Sequence, residues 1–299
     1  MNQVSLGRRG LLCSALCLAT LVLAFAAPLA LAGSSGNSTP IGPDLPGAIG
    51  TPTLVGQGNM QVETSVAGTQ DGDGTAYTRV WSTPTLLRFG MPNYEIRVTA
   101  APYSRVRTYS EVNTGRADMT LGIKGVVPQN WDKDLALAVL VQAGLPSGSA
   151  EIKNKGVRPE LQLVGSWQLA NQNVVGAIAG VRSDVDNNDE RYPTGVLGMN
   201  FTHTWNAAFT TYGEVAARQI RAASRGGKNI MYGLGTGWRA WPATQIDATA
   251  GWGLKDNDTD MHFTLGVSRR FHPPSPGQWG HKPDTETVET PSATTEDGK

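Results

Sequence analysis

Tyr94-Glu95-Ile96-Arg97-Val98-Thr99-Ala100 alternates apolar side chains with charged or polar ones. Successive residues of an extended strand point to opposite faces, so Tyr94, Ile96 and Val98 share one face and Glu95 and Arg97 the other. Leu135-Ala136-Leu137-Ala138-Val139-Leu140-Val141-Gln142-Ala143 and Met261-His262-Phe263-Thr264-Leu265-Gly266-Val267 follow the same period. Runs of this kind, eight to twelve residues long and bounded by turns, recur from Asn59 to Phe271. We read about twelve of them: 59–69, 77–89, 94–106, 117–127, 134–145, 157–169, 173–182, 194–203, 208–218, 229–239, 245–253 and 260–271. At ~10 residues each they are long enough to cross a bilayer at a tilt.

The connections alternate in length. Residues 90–93, 128–133, 170–172, 204–207 and 240–244 are short, whereas 70–76, 107–116, 146–156, 183–193, 219–228 and 254–259 are longer and more polar. Short turns at one end and long loops at the other are the asymmetry of bacterial outer-membrane barrels. A soluble β-sandwich has no reason to keep that rhythm. Trp131, Trp205 and Trp241 stand in or beside the short turns, with Trp167 near the same end of its run. Rings at one level form an interfacial girdle.

The start of the chain agrees with export. Arg8 and Arg9 precede an uncharged apolar stretch from Leu11 to Ala32, and Ala30-Leu31-Ala32 supplies a small-x-small cleavage site. Residues 1–32 are therefore expected to be a cleaved signal peptide. Both cysteines, Cys13 and Cys17, fall within it, so the mature chain has no disulfide and no thiolate chemistry. Removing Arg8 and Arg9 takes two of 25 basic residues against 25 acidic ones and leaves a net charge of −2, which offers nothing to a nucleic acid.

Residues 33–56, rich in Gly, Ser, Pro and Thr, read as a flexible N-terminal segment, 57–271 as the barrel, and 272–299 as a disordered tail carrying Pro273, Pro274, Pro276, Pro283 and Pro291. The tail is a candidate contact to the periplasm or cell wall. Phe271 gives the last strand the aromatic end expected of a strand read by the barrel-assembly machinery, although Arg269 stands where an apolar residue is usual.

A charge on the lipid face near the midplane costs ~2–4 kcal/mol, so the charged face should point inward. That assigns Glu63, Glu95, Arg97, Asp118, Lys124, Glu160, Glu214 and Asp247 to the lumen, with Arg182 and Arg218 joining them. Mixed charges inside a barrel have two readings. They line a watery passage, or they pair and plug a narrow one, because a buried unpaired charge is expensive. Either reading leaves room for partial closure by 33–56 or by a long loop.

Catalytic readings score poorly. His203, His262, His272 and His281 are scattered, and no ligand spacing for a metal or cofactor is present. The acidic loop Asp184 to Glu190 lacks the spacing of a Ca²⁺ loop. The Gly-rich stretch Gly233 to Gly237 lies inside a strand and precedes no helix, so it is not a phosphate loop. The pattern of outer-membrane phospholipase A, a His followed closely by Ser-Asn-Gly, is not matched by His203-Thr204-Trp205-Asn206 or His262-Phe263-Thr264-Leu265.

Several stretches resemble one family. Gly58-Asn59-Met60-Gln61-Val62-Glu63-Thr64-Ser65-Val66 looks like its first strand, and Leu86-Leu87-Arg88-Phe89-Gly90-Met91-Pro92-Asn93-Tyr94-Glu95-Ile96-Arg97 like its signature hairpin. Ala117 to Lys124 resembles its next strand, and Asp247 to Leu254, Asp260, Phe263, Gly266 and Arg270-Phe271 resemble its ending, with Ala250 where a second Gly is common. These are similar to the outer-membrane transporters named for the meta-pathway of phenol degradation. The resemblance implies a barrel passing small, often aromatic, compounds.

The expectation is an all-β transmembrane antiparallel barrel of about twelve strands in the outer membrane of a Gram-negative bacterium. It would be no enzyme, would need no cofactor, and would have lipid and a small-molecule solute as partners. Its function would be passive admission of solutes. The alternative is a closed structural or adhesive barrel that works through its extracellular loops.

Overall fold

The computed structural model describes residues 41–45, 47–72, 77–170, 172–225, 227–254 and 259–272. The signal peptide, the tail beyond His272 and residues 33–40 lie outside these. Fifteen strands follow in order: β1 (Met60–Asp71), β2 (Thr78–Ser82), β3 (Thr85–Gly90), β4 (Tyr94–Ala100), β5 (Ser104–Thr108), β6 (Val112–Gly115), β7 (Thr120–Val126), β8 (Leu135–Gly144), β9 (Arg158–Ala170), β10 (Asn173–Val185), β11 (Arg191–Thr204), β12 (Phe209–Ile220), β13 (Lys228–Trp241), β14 (Thr244–Gly253) and β15 (Met261–Phe271). All pairings are antiparallel, and β15 returns to β1 in register from Met60↔Phe271 to Gln70↔Met261. The sheet closes on itself through this pairing, which removes the long edges an open sheet would expose, while the short β6 pairs with β5 alone.

The fifteen segments make twelve staves. β1 pairs with β3 along Met60–Thr64 and with β2 along Ala67–Asp71, so β2 and β3 are one stave interrupted at Thr83 and Pro84. β4 with β5, and β6 with β7, are likewise interrupted staves. The sequence reading runs 77–89 and 94–106 through without a break. Pro84 and Pro102 supply the physical reason for the first two, since proline has no N–H for the ladder. Residues 107–116, read as a long loop, instead turn tightly and continue as β5 and β6, with Thr108 N–H closing on the Glu111 carbonyl at 2.9 Å.

The period-two pattern sorts faces as expected. Leu121, Ile123, Val141, Leu161, Leu163, Leu197, Met199, Phe201 and Leu234 are exposed on the outside. Inward positions are mostly small or polar; the larger apolar ones include Leu86 and Leu140 and a patch of Val164, Ile178, Val196 and Ala216. Trp131, Trp167, Trp205, Trp238 and Trp241 are exposed near the short-turn end, while Tyr103, Tyr232 and Trp252 are exposed near the other. Among the described residues no helix is long and apolar enough to cross a membrane, so crossing falls to the strands.

Candidate functional site

A turn ahead of β1 sends the chain back into the barrel. Gly56 and Gly58 take φ of +87° and +73°, a region open to glycine, and Asn59 N–H closes on the Gly56 carbonyl at 3.2 Å. Composition suggests that 33–56 is loose. Residues 41–45 and 47–56 are instead tied into the lumen, because strand side chains take up their backbone groups one by one.

The base of this segment is a loop from Asp44 to Thr51, closed by Thr51 N–H donating to Asp44 Oδ1 at 2.8 Å. Asp44 Oδ2 accepts from Lys124 Nζ at 2.9 Å and from Arg97 Nη1. Arg88 donates to both oxygens of Glu95 at 2.9 Å and to Glu63 Oε1 at 2.9 Å. Its remaining donors reach the carbonyls of Gly42 and Thr53, each at 2.8 Å. Glu63 Oε2 accepts Asp44 N–H and Leu45 N–H at 2.7 Å each, Glu95 Oε2 accepts Val55 N–H at 3.0 Å, and Lys124 donates to the Thr51 carbonyl at 2.9 Å.

Arg88, Lys124, Glu63 and Glu95 are no more than 1% exposed. Charges so buried persist only when paired and hydrogen-bonded throughout. Burial works against the charged form of Asp44, but Arg88, Lys124 and Arg97 outweigh it and hold its carboxyl well below the usual carboxylate range.

The tip of the loop reaches the opposite wall. Ala48 N–H donates to Glu214 Oε2 at 2.9 Å, and Arg218 Nη1 donates to the Ala48 carbonyl at 2.8 Å. Ile49 seats on the apolar patch of Val164, Ile178, Val196 and Ala216. Gly198 leaves that seat open, because a Cβ there would come within 2.3 Å of Ile49 Cδ1.

Two cavities flank the loop. One of about 640 Å³ extends toward the short-turn end past Gln168, Thr202, Tyr212 and Asp247. The other, of about 320 Å³, lies toward the long-loop end among Thr69, Arg218, Met231 and His262. Gly47 and Glu214 line both, so the loop tip and its acceptor form the partition between them.

Of the residues the sequence assigns to the lumen, Glu63, Glu95, Arg97 and Lys124 meet at the base of the loop and Glu214 at its tip. Asp247 lines the larger cavity, where Oδ1 accepts from Gln245 at 2.7 Å and Oδ2 has no partner among the described residues. Glu160 is buried between Gln142 and Gln162, away from the loop. Asp118 lies in the break before β7, where it accepts from Gly148 N–H and Asn154 N–H at 2.9 Å and from Arg158 at 3.3 Å, and so fastens the 145–157 loop, away from the loop that begins at Asp44. Arg182, expected in the lumen group, pairs with Asp184 at 2.8 Å.

Sequence reasoning missed Asp44, Ile49 and Arg88 as members of the site. Arg88 was legible: it alternates with Leu87 and stands across from Arg97 in the hairpin. Asp44 and Ile49 sit in a stretch with no periodicity, so nothing local marks them. Among the described residues no group of three or more His, Cys, Asp or Glu is arranged to hold a metal.

The sequence model of a family described as "Putative MetA-pathway of phenol degradation" matches residues 43–271, which takes in the lumen loop as well as every strand. Among solved structures, the COG4313 outer membrane channel from Pseudomonas putida F1 is similar over 80% of this chain and 100% of that one, with a TM-score of 0.59 and 11% identity. The KdgM porin is similar over 71% of this chain and 99% of that one, with a TM-score of 0.49 and 10% identity. No curated protein matches the chain. At these identities the structural likeness concerns the fold.

Proposed function

The chain belongs to the family described as the MetA-pathway of phenol degradation, and from that premise we propose that it is an outer-membrane channel for small solutes, closed at rest by the loop from Asp44 to Thr51. The observation that carries this reading is the pair of cavities, about 640 and 320 Å³, separated at Gly47 and Glu214. Both volumes fall in the ~300–1,000 Å³ range of small-molecule sites. A barrel built only to be rigid has no need of space on both sides of a removable partition. Glu63, Glu95, Arg97 and Lys124 hold the base of the gate, Glu214 holds its tip, and Asp247 and Glu160 line the lumen beyond it. Aromatic compounds are the solutes that the family description favours.

The structure is read as the closed state, in which every wall charge around the loop base is paired. Opening requires the tip to leave Glu214, Arg218 and the apolar seat. Liposome swelling tests this with the wild-type chain and with Ile49→Asp, which sets a charge among Val164, Ile178, Val196 and Ala216. The wild type should admit small sugars slowly and the variant several-fold faster, with rates falling as solute size rises. A correctly folded variant that admits nothing would overturn the gated-channel reading and leave the closed structural barrel in its place.

A further inference from the structure

Six charged groups meet at the loop base, and five belong to the barrel wall: Arg88, Arg97 and Lys124 against Glu63 and Glu95. Arg270, buried beside Gln61, adds a further positive charge nearby. The wall alone is therefore cationic. Arg88 is bound on both sides by Glu63 and Glu95 at 2.9 Å and stands farther from Asp44, at 3.9 Å, so most of its charge is met within the wall. Arg97 and Lys124 are not so placed. Both fall on the same oxygen, Glu95 Oε1, at 2.7 and 3.4 Å. Their second partner, Asp44, comes from the loop and not from a strand.

We propose that Arg97 and Lys124 form a binding site for small carboxylate solutes, occupied in this structure by the chain's own Asp44. The inference rests on the channel reading above and names the solute class of that channel. Three observations support it. The Asp44 carboxylate is held in the manner expected of a bound anion, one oxygen on Arg97 and Lys124 and the other on a backbone N–H. Asp44 lines the cavity of about 640 Å³, so the position its carboxylate would vacate adjoins a space large enough for a solute body. Arg97 is 7% exposed, yet its Nε–H has no partner among the described residues, which leaves a donor unused.

A free carboxylate carries the same charge and oxygen geometry as Asp44. It would compete for the same two cations, and a ligand that binds only when the loop is displaced shifts the population toward the open state. In that state the cationic excess would favour anions over cations, so opening and selection would be one event.

Isothermal titration of the full-length folded protein tests the site without relying on passage. Asp44→Ala removes the occupying carboxylate and leaves the loop backbone. Acetate and benzoate are titrated into wild type and variant, with benzamide as the uncharged control and heat-modifiable gel migration confirming the barrel. The variant should bind both carboxylates at least tenfold more tightly than wild type and should leave benzamide unbound, and adding Lys124→Met should remove the gain. Asp44→Asn, neutral and of the same shape, takes its place if the alanine variant fails to fold. Equal binding by variant and wild type, or equal binding of benzamide, would overturn the proposal. A barrel that binds carboxylate yet passes no solute would overturn the channel reading instead.

Discussion

On the proposed gate, Asp44 is the residue on which closure turns. Its carboxyl titrates below the ordinary 3.8 when the loop is docked, so docking favours the charged form. That contribution is complete above the free carboxyl's value and is lost as pH falls below it toward the depressed docked value. Conductance of the wild-type protein should stay low from about pH 5 to 8 and rise as the pH drops below about 4. In Asp44→Asn the same titration should be flat over that range. A wild-type trace that opened near neutrality would point to another group. Lys124→Met removes one partner of a buried network and leaves carboxylates under-compensated, at a cost of ~3–5 kcal/mol. Denaturant titration in lipid vesicles should show that loss, while the exposed pair Lys155–Asp189, at 3.5 Å, should yield almost nothing when broken.

At the scale of elements, the strand faces follow from alternation alone. Leu163 sits mid-strand in β9 between Gln162 and Val164, and it is outward while they are inward. Leu163→Arg should cost ~2–4 kcal/mol when refolding is measured in bilayers, because the charge enters lipid. A cost near zero would mean that the face had been misassigned. The same alternation makes Glu63, Glu95, Arg97, Lys124, Glu160, Glu214 and Asp247 legible as inward residues from the sequence. Asp118 is held differently from these. It follows a strand pattern in sequence, but the stave is broken at 116–119 and its carboxylate turns to the 145–157 loop. The lumen loop was not legible, because a Gly- and Pro-rich stretch bears no period. Its order comes from charges on five strands, β1, β3, β4, β7 and β12, accepting from and donating to its backbone. Gly198, too, has meaning only in three dimensions. Gly198→Val should crowd Ile49 off its seat and raise permeability with little loss of barrel stability.

For the whole molecule, the gated-channel reading requires the closed sheet to stand without the plug. The ladder of twelve staves is continuous through β15 and β1 without help from the loop. The loop contributes its closure through a few contacts: the Asp44 carboxylate, the Ala48 backbone and the Ile49 side chain. A barrel of this kind can keep its fold while its passage changes state. Two cavities sharing Gly47 and Glu214 are what such a division of labour leaves behind.

Single-channel conductance in planar bilayers tests this most directly, comparing wild type with a chain in which residues 45–50 are replaced by two glycines. Thr51 N–H already bonds Asp44, so the base can stay while the tip is lost. The expected result is rare, small openings for the wild type and a steady open level for the shortened loop, both from barrels of equal thermal stability. A shortened-loop barrel that stays folded and silent would contradict the account, since the partition would then lie elsewhere in the lumen.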